Sequence, residues 1–152
     1  MSAVDFTREL NRELVDHELI RHRRTETARE EALEVGLAEV GKTIILATDT
    51  GFVRVLVPAS KRLDLHKLRA LLGTGELRLA NEEELAGAYP MFELGAVPPI
   101  GGPPGDRTII DRRLAIHDSI VVEAGSHEVS VRLQMRDLVR LSNPQIGEIC
   151  ED

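Results

Sequence analysis

The sequence predicts a mixed α/β domain in which the strands are largely antiparallel and helices flank the sheet. Amphipathic segments with recognisable caps alternate with short runs of β-branched and aliphatic residues, and one pair of such runs forms a hairpin near the centre of the chain. At 152 residues the chain is long enough to bury a core without disulfides. We therefore expect one domain over residues 1–152.

The hairpin is the strongest local signal. The run from Thr43 to Thr48 is followed by Asp49-Thr50-Gly51 and a second run from Phe52 to Val57, which Pro58 ends. Further strands are expected at Leu77–Leu79, Thr108–Asp111, Ser119–Glu123 and Val129–Leu133, and His17–His22 fits an edge strand.

Helices are predicted where apolar residues recur at helical spacing behind a capping residue. A segment rich in proline and glycine, from Pro90 to Gly105, predicts a long loop between the helical and the last strand regions. The expected helices are Asp5 to about Val15, the Thr27/Glu30 capping box to Gly36, Asp64 to Gly73, a short one begun by Asn81 and Glu84, and about Met135–Leu141.

Composition narrows the class of protein. No apolar run approaches the ~20 residues that span a bilayer, and the stretch MSAVDFTREL lacks the apolar core of a secretory signal. The single cysteine, Cys150, cannot form an internal disulfide or a structural zinc site. A net charge of −7 argues against broad nucleic-acid binding but leaves room for a small basic patch. We expect a cytoplasmic protein without membrane, metal or cofactor.

The stretch GLAEVGKT, residues 36–43, matches the phosphate-loop pattern letter for letter. A phosphate loop needs a strand before the glycine turn and a helix after it, so that N–H groups at the helix start meet phosphate. Here the predicted order is helix first and strand second. We therefore interpret the match as coincidence, with Lys42 at the start of a strand.

A protein nucleophile is also not indicated. The sequence has no G-x-S-x-G elbow, and Cys150 is far from the other candidate residues in the chain. Ser126 and His127 are adjacent, and on a strand they would point to opposite faces. A serine–histidine triad is not expected.

Several stretches, taken in order, resemble the YbaK-like domains, which are also the editing domains associated with bacterial prolyl-tRNA synthetases. The resemblance covers about His17 to Leu141, leaving residues 142–152 as a polar tail, and implies a compact mixed α/β domain with a curved sheet. The matching stretches are VGKTIIL, VPASKRLDLHKLRALLG, RLANEEELAGAYP, ELGAVPPIGG, IIDRRL with Asp111, and EAGSHEVSVRLQMRDLVRL.

The resemblance implies hydrolysis of the ester that joins a wrong amino acid to the 3′ end of a tRNA. Lys42 matches the family's key lysine, and Gly95-Ala96-Val97-Pro98-Pro99 matches its G-x-x-x-P loop. A stiff glycine loop or a cation can stabilise the charge that develops on an ester carbonyl. Lys42 could instead hold the phosphate of the terminal adenosine. Family members use the substrate's own 2′-hydroxyl, a substrate thiol or a bound water as nucleophile.

Two further groups are implied by position. His127 lies near a pocket histidine found in part of the family, although a surface histidine at a turn is an equal alternative, and Gly125 fits the structural glycine of that turn. His22, Arg23 and Arg24, with Arg21, form the densest basic cluster and are the candidates for tRNA phosphates; Lys61 and Arg62 are weaker ones.

Substrate choice is indicated only by Thr43, which follows the lysine as it does in cysteine-clearing members. This favours a small amino acid, cysteine or else alanine or serine, on tRNAPro. Without synthetase regions in the sequence, we expect a freestanding deacylase acting in trans, which could dock on a synthetase. The alternative is a non-catalytic module that binds a tRNA end or a synthetase.

Overall fold

The computed structural model describes residues 2–13, 15–21, 40–101 and 106–152. Within these ranges it contains five helices and eight strands. The helices are α1 (Ser2–Arg12), α2 (Leu65–Leu72), α3 (Glu82–Ala88), α4 (Arg112–Ala115) and α5 (Met135–Ser142). The strands are β1 (His17–Arg21), β2 (Gly41–Thr48), β3 (Gly51–Pro58), β4 (Leu77–Leu79), β5 (Arg107–Asp111), β6 (Ser119–Ser126), β7 (Val129–Gln134) and β8 (Gln145–Gly147). No helix in these ranges is both long and apolar enough to cross a membrane.

The strands form two sheets, with the orders β4-β2-β3-β5-β8 and β1-β7-β6. All strand pairs are antiparallel except β3 with β5 and β5 with β8, which are parallel. This confirms the predicted mixed α/β fold with mostly antiparallel strands. The predicted hairpin is β2–β3, in which Thr48 pairs with Gly51. Gly51 has φ +138°, a conformation that side chains rarely adopt.

Two predicted caps position the elements that precede the long loop. Asp64 accepts hydrogen bonds from the backbone N–H groups of His66 and Lys67, and Asn81 and Glu84 form the expected capping box of α3. Arg78 on β4 donates to Glu84 and lowers the pKa of that carboxyl to about 2. The other predicted capping box, Thr27 with Glu30, and the helix end at Gly36 lie outside the described residues.

The five-stranded sheet buries both of its faces. On one face, here called the α2 face, Leu46 and Val55 pack with Leu68 of α2 and with Ile149 and Cys150. On the opposite face, here called the loop face, Ile45 packs with Tyr89, Phe92 and Val97. Side chains alternate between the two faces along each strand.

The last residues are not the polar tail that the sequence predicts. They form β8, which pairs with β5, and they bury Ile149 and Cys150 at 0% and 1% exposure. Asp111 holds this segment, because its carboxylate accepts from Ile149 N at 3.0 Å and from Arg113 N at 2.8 Å. A three-residue strand that pairs far along the chain leaves no periodic signal, which explains the wrong prediction.

Candidate functional site

The candidate site is built around the loop that contains Gly95–Pro99 and crosses the loop face of the sheet. Residues 96–100 are buried, whereas Leu94 and Gly95 are exposed at the surface. Gly95 adopts φ +82°, in the left-handed region where a side chain is strained. The loop therefore presents the bare backbone of Gly95 to solvent while its apolar residues anchor it from below.

His127 anchors the first part of this loop from the turn between β6 and β7. Its backbone N–H donates to the Glu93 carboxylate at 2.6 Å. Its ring atom Nε2 lies 2.7 Å from the carbonyl oxygen of Leu94. Because a carbonyl only accepts, Nε2 carries a proton. Gly125, at φ +96°, accepts from Glu93 N at 2.9 Å, so the turn and the loop are joined three times.

The other ring nitrogen of His127 faces a carboxylate. Nδ1 lies 3.3 Å from Oε2 of Glu123, and both side chains are nearly buried. His127 itself is 3% exposed, so the surface-histidine alternative is wrong. Contact of this ring with a substrate stays a prediction.

Arg54 anchors the second part of the loop, and it was not among the residues predicted from the sequence. It lies on β3, is 4% exposed and points to the loop face. Nη1 donates to the carbonyl oxygen of Pro98 at 3.0 Å, and Nη2 donates to that of Gly101. The only available signal was one arginine inside the apolar run FVRVLV, which is typical of a buried charge with a fixed partner.

Tyr89 and Asp106 surround the Arg54 guanidinium. The guanidinium carbon lies 4.9 Å from the centre of the Tyr89 ring, a cation–π contact. Nη2 lies 3.8 Å from Oδ2 of Asp106, which also accepts from the Tyr89 hydroxyl. Burial raises the pKa of Tyr89 to about 12, and the hydrogen bond to Asp106 acts in the same direction. The buried positive charge is thus balanced within the fold.

Lys42 and Thr43 lie inside β2, not at the start of a helix, which agrees with a coincidental phosphate-loop match. Thr43 shares the loop face with Ile45. Lys42 shares the α2 face with Ile44 and Leu46, which pack in the cluster that contains Cys150. The structure therefore does not bring Lys42 into contact with Gly95. The Lys42 backbone pairs with Val57 of β3. In the part of the chain that is described, no hydrogen bond or ion pair involves the Lys42 side chain.

Cys150 reports the surroundings of Lys42 on the α2 face. Burial and a hydrogen bond with Asp111 raise the pKa of the Cys150 thiol to about 12, while the cations of Arg113 and Lys42 act in the opposite direction. The thiol is separated from the loop by the sheet and stays protonated at neutral pH. It is not placed to act as a nucleophile at Gly95.

Comparison with known proteins identifies the family of this chain. Residues 22–141 match the family model of the aminoacyl-tRNA editing domain. The chain belongs to this family.

Relatives of this editing domain occur inside larger enzymes and as separate proteins. The proline–tRNA ligase of Xylella fastidiosa is 38% identical over 106 residues, 65% of this chain and 18% of the ligase. That of Thermosipho africanus is 28% identical over 127 residues, 79% of this chain and 22% of the ligase. The chain thus spans about a fifth of the ligases that it matches. An Enterococcus faecalis protein named "Putative Cys-tRNA(Pro)/Cys-tRNA(Cys) deacylase EbsC" is 26% identical over 120 residues, 78% of this chain and 73% of that protein.

A solved structure shows the same fold over nearly the whole editing domain. It is described as a "putative trans-editing enzyme for prolyl tRNA synthetase" and superposes with a TM-score of 0.88 at 26% identity, covering 99% of this chain and 98% of the other. The recognition of a YbaK-like editing domain from sequence is thereby confirmed.

The remaining predicted residues of this editing domain are the basic ones assigned to tRNA. His22, Arg23 and Arg24 lie outside the described residues, so their assignment to tRNA stays a prediction. Lys61 and Arg62 follow β3 and are exposed. Across residues 2–13, 15–21, 40–101 and 106–152, no group of three His, Cys, Asp or Glu side chains is arranged to hold a metal ion.

Proposed function

We propose that this editing domain is a trans-acting deacylase that hydrolyses the ester of a mischarged tRNA, tRNAPro carrying a small amino acid such as cysteine or alanine. Membership of the editing family supports the reaction class. The names of the Enterococcus relative and of the solved structure support the substrate and the action in trans. The observation that carries the proposal is the exposed backbone of Gly95. This backbone is held in a left-handed conformation above the buried His127, which contacts the loop through its ring and its backbone N–H.

The Gly95 backbone supplies a donor for the developing oxyanion. Ala96 N donates to Glu93 O at 3.0 Å, which closes a turn around Leu94 and Gly95. Among the described residues nothing accepts from the N–H of Gly95, and this residue faces solvent. A fixed N–H donor that needs no reorganisation lowers the barrier for attack on an ester carbonyl. In this proposal Gly95 therefore positions and polarises the ester, and Pro99 stiffens the loop that holds Gly95.

The substrate or water supplies the nucleophile. Both ring nitrogens of His127 already face Leu94 O and Glu123, so the ring is committed to the loop. The Cys150 thiol is buried on the other face of the sheet. Attack by the ribose 2′-hydroxyl, a substrate thiol or a bound water needs only correct placement by the protein. This scheme requires no cofactor.

Lys42 is assigned to the terminal phosphate of the tRNA rather than to the ester carbonyl. The Lys42 side chain leaves β2 on the α2 face, whereas the loop covers the opposite face of the sheet. A lysine acts on phosphate as a point charge at the end of a flexible stem, so it does not need the close geometry of an oxyanion donor. His22, Arg23 and Arg24 are proposed to extend this contact along the tRNA.

The amino acid is proposed to lie between the loop and Thr43. Thr43 is on the loop face of β2, and Ala96, Val97 and Pro98 cover that face as buried residues. One methylene of excess size changes discrimination by about 10–200-fold in such an apolar site. A small amino acid would be admitted, and a larger one excluded.

The decisive experiment is deacylation of tRNAPro charged separately with cysteine, alanine, serine and proline. We expect release of at least one small amino acid and retention of proline. Retention of all four, with tRNA binding intact, would overturn the deacylase and leave a binding module for a tRNA end. Release of every amino acid at the same rate would leave the deacylase but remove the proposed selection.

A further inference from the structure

Arg54 holds the loop by the loop's backbone carbonyl groups. The sequence of the loop explains why these carbonyls need such a donor. Pro98 and Pro99 have no N–H group, so this part of the chain cannot be fixed by donating to a neighbouring strand. Its carbonyl oxygens need donors when they are buried. Arg54 supplies these donors to Pro98 and Gly101 from beneath.

The two carbonyls that Arg54 binds bracket Pro99, the last residue of the G-x-x-x-P motif. Nη1 and Nη2 belong to one planar guanidinium, so the positions of the Pro98 and Gly101 carbonyls are fixed relative to each other. At the other end, His127 fixes Leu94 O. The loop between these two anchors can change shape only if one of the contacts breaks.

The guanidinium is itself oriented by its surroundings. The Tyr89 ring lies 4.9 Å away under the guanidinium carbon. The Asp106 carboxylate lies 3.8 Å from Nη2 and is held by the Tyr89 hydroxyl. A buried charge with this many fixed partners is more rigid than a lysine would be at the same place, because an ammonium lacks the planar fork.

We propose that Arg54 is a positioning residue that sets the shape of the Gly95–Pro99 loop and thereby the size of amino acid that the site admits. The inference rests on the proposed deacylase function, because selection is expressed in the substrates released. Arg54 acts through the loop carbonyls and does not touch the reacting atoms. Arg54 therefore affects which aminoacyl ester is placed correctly for attack.

The test compares Arg54→Lys with the unmodified chain in deacylation of tRNAPro charged with cysteine, alanine, serine or proline. The lysine keeps the charge but cannot bind both carbonyls. We expect kcat/KM on the best substrate to fall by about 10²-fold, the loss typical of a misplaced reactant. We also expect selectivity, which is kcat/KM on the best substrate divided by kcat/KM on the prolyl ester, to fall by about tenfold.

Leu68→Ala is the matched control for general destabilisation. Leu68 is fully buried in the cluster on the α2 face, away from the loop. Loss of this side chain should lower the melting temperature without changing the ratio between amino acids. If Arg54→Lys likewise leaves the ratio between amino acids unchanged and lowers all rates equally, Arg54 is only a structural residue and the inference is wrong.

Two further measurements separate this inference from the deacylase proposal. Amide hydrogen exchange in residues 94–101 reports the loop without any turnover, and we expect Arg54→Lys to speed it while leaving β6 and β7 unchanged. Unchanged exchange would show that Arg54 does not fix the shape of the loop, even if deacylation is observed. Tyr89→Phe, which keeps Arg54 and removes only the hydroxyl on Asp106, should shift exchange and selection in the same direction by less; a shift in the opposite direction would contradict the mechanism.

Discussion

The imidazole ring of His127 lies directly beneath Gly95, so that a Cβ atom added to Gly95 would stand 3.4 Å from Cε1 of the ring. The same ring is bonded to Leu94 O and faces Glu123. It cannot retreat without breaking these contacts. The exposed backbone of the loop and the buried histidine therefore form one rigid unit.

Gly95→Ala is expected to lower deacylation by about 10²-fold, because the oxyanion donor moves from its position. The left-handed φ of Gly95 adds a strain of about 1–2 kcal/mol for a residue with a side chain. Gly95→Val, with a branched Cβ, should reduce the rate further. Initial rates with the best misacylated tRNAPro measure both variants.

Gly87→Ala is the control for this series. Gly87 lies in α3, and a Cβ there would meet nothing within 4 Å. This substitution should keep full activity and raise stability by roughly 0.4–1 kcal/mol, because alanine restricts the unfolded chain. Equal rates for Gly95→Ala and Gly87→Ala would remove the loop from the mechanism.

Lys42→Ala is expected to abolish most turnover at low tRNA concentration while the protein remains folded. If Lys42 binds phosphate, the loss appears mainly in KM, and the salt dependence of binding becomes shallower. Lys42→Arg keeps the charge and should retain most of the binding. A fall in kcat alone, equal in both variants, would indicate contact with the ester carbonyl instead.

Tyr89 gives a direct readout of the Arg54 cluster, because it is the single tyrosine of a chain without tryptophan. Its pKa is raised to about 12, chiefly by burial. The phenol thus keeps its proton more tightly in the folded than in the unfolded state, where the pKa is about 10. The contribution of the protonated phenol to the free energy of unfolding is complete below about pH 10 and is lost as the pH rises towards 12.

Ultraviolet titration of the phenolate measures this directly. We expect a midpoint near 12 in the native protein and about 10 in denaturant. Between these two pH values, the free energy of unfolding should decline in the unmodified protein, and Tyr89→Phe should remove this part of the decline. A native midpoint equal to that in denaturant would show that the phenol is solvated.

Cys150 is expected to resist thiol reagents in the native state. It is the single cysteine, is 1% exposed and has its pKa raised by burial to about 12. Reactive thiolate is therefore scarce and shielded. Stoichiometric labelling should need denaturant, and Cys150→Ser should leave deacylation unchanged. Rapid labelling of the folded protein would contradict the packing of the last residues.

The sequence allowed the local elements to be predicted, because their signals lie within a few residues. Asn81 and Glu84 form the expected capping box, and Asp49-Thr50 forms the expected turn. Alternation along β2 also predicts that Lys42 points away from the face of Thr43 and Ile45, but it does not tell which of the two faces the loop covers. The tRNA cluster at His22 stays a prediction.

The contacts that fix the site could not be predicted in this way. Arg54 and Pro98 are separated by 44 positions, and His127 and Leu94 by 33. Neither pair has a periodic or motif signal that names the partner. A single arginine in an apolar strand indicates that a buried partner exists, but only the folded chain shows that this partner is the backbone of the loop.

The pairing of β8 with β5 has a consequence for the order of synthesis. The edge of the larger sheet at Ile109–Asp111 stays unpaired until residues 145–147 are available, and Asp111 lacks its bond to Ile149 until then. A ribosome must therefore synthesise and release the chain up to residue 147 before this sheet is complete. Until that moment a nascent chain exposes an aliphatic strand edge, which is the kind of surface that chaperones bind and that promotes aggregation.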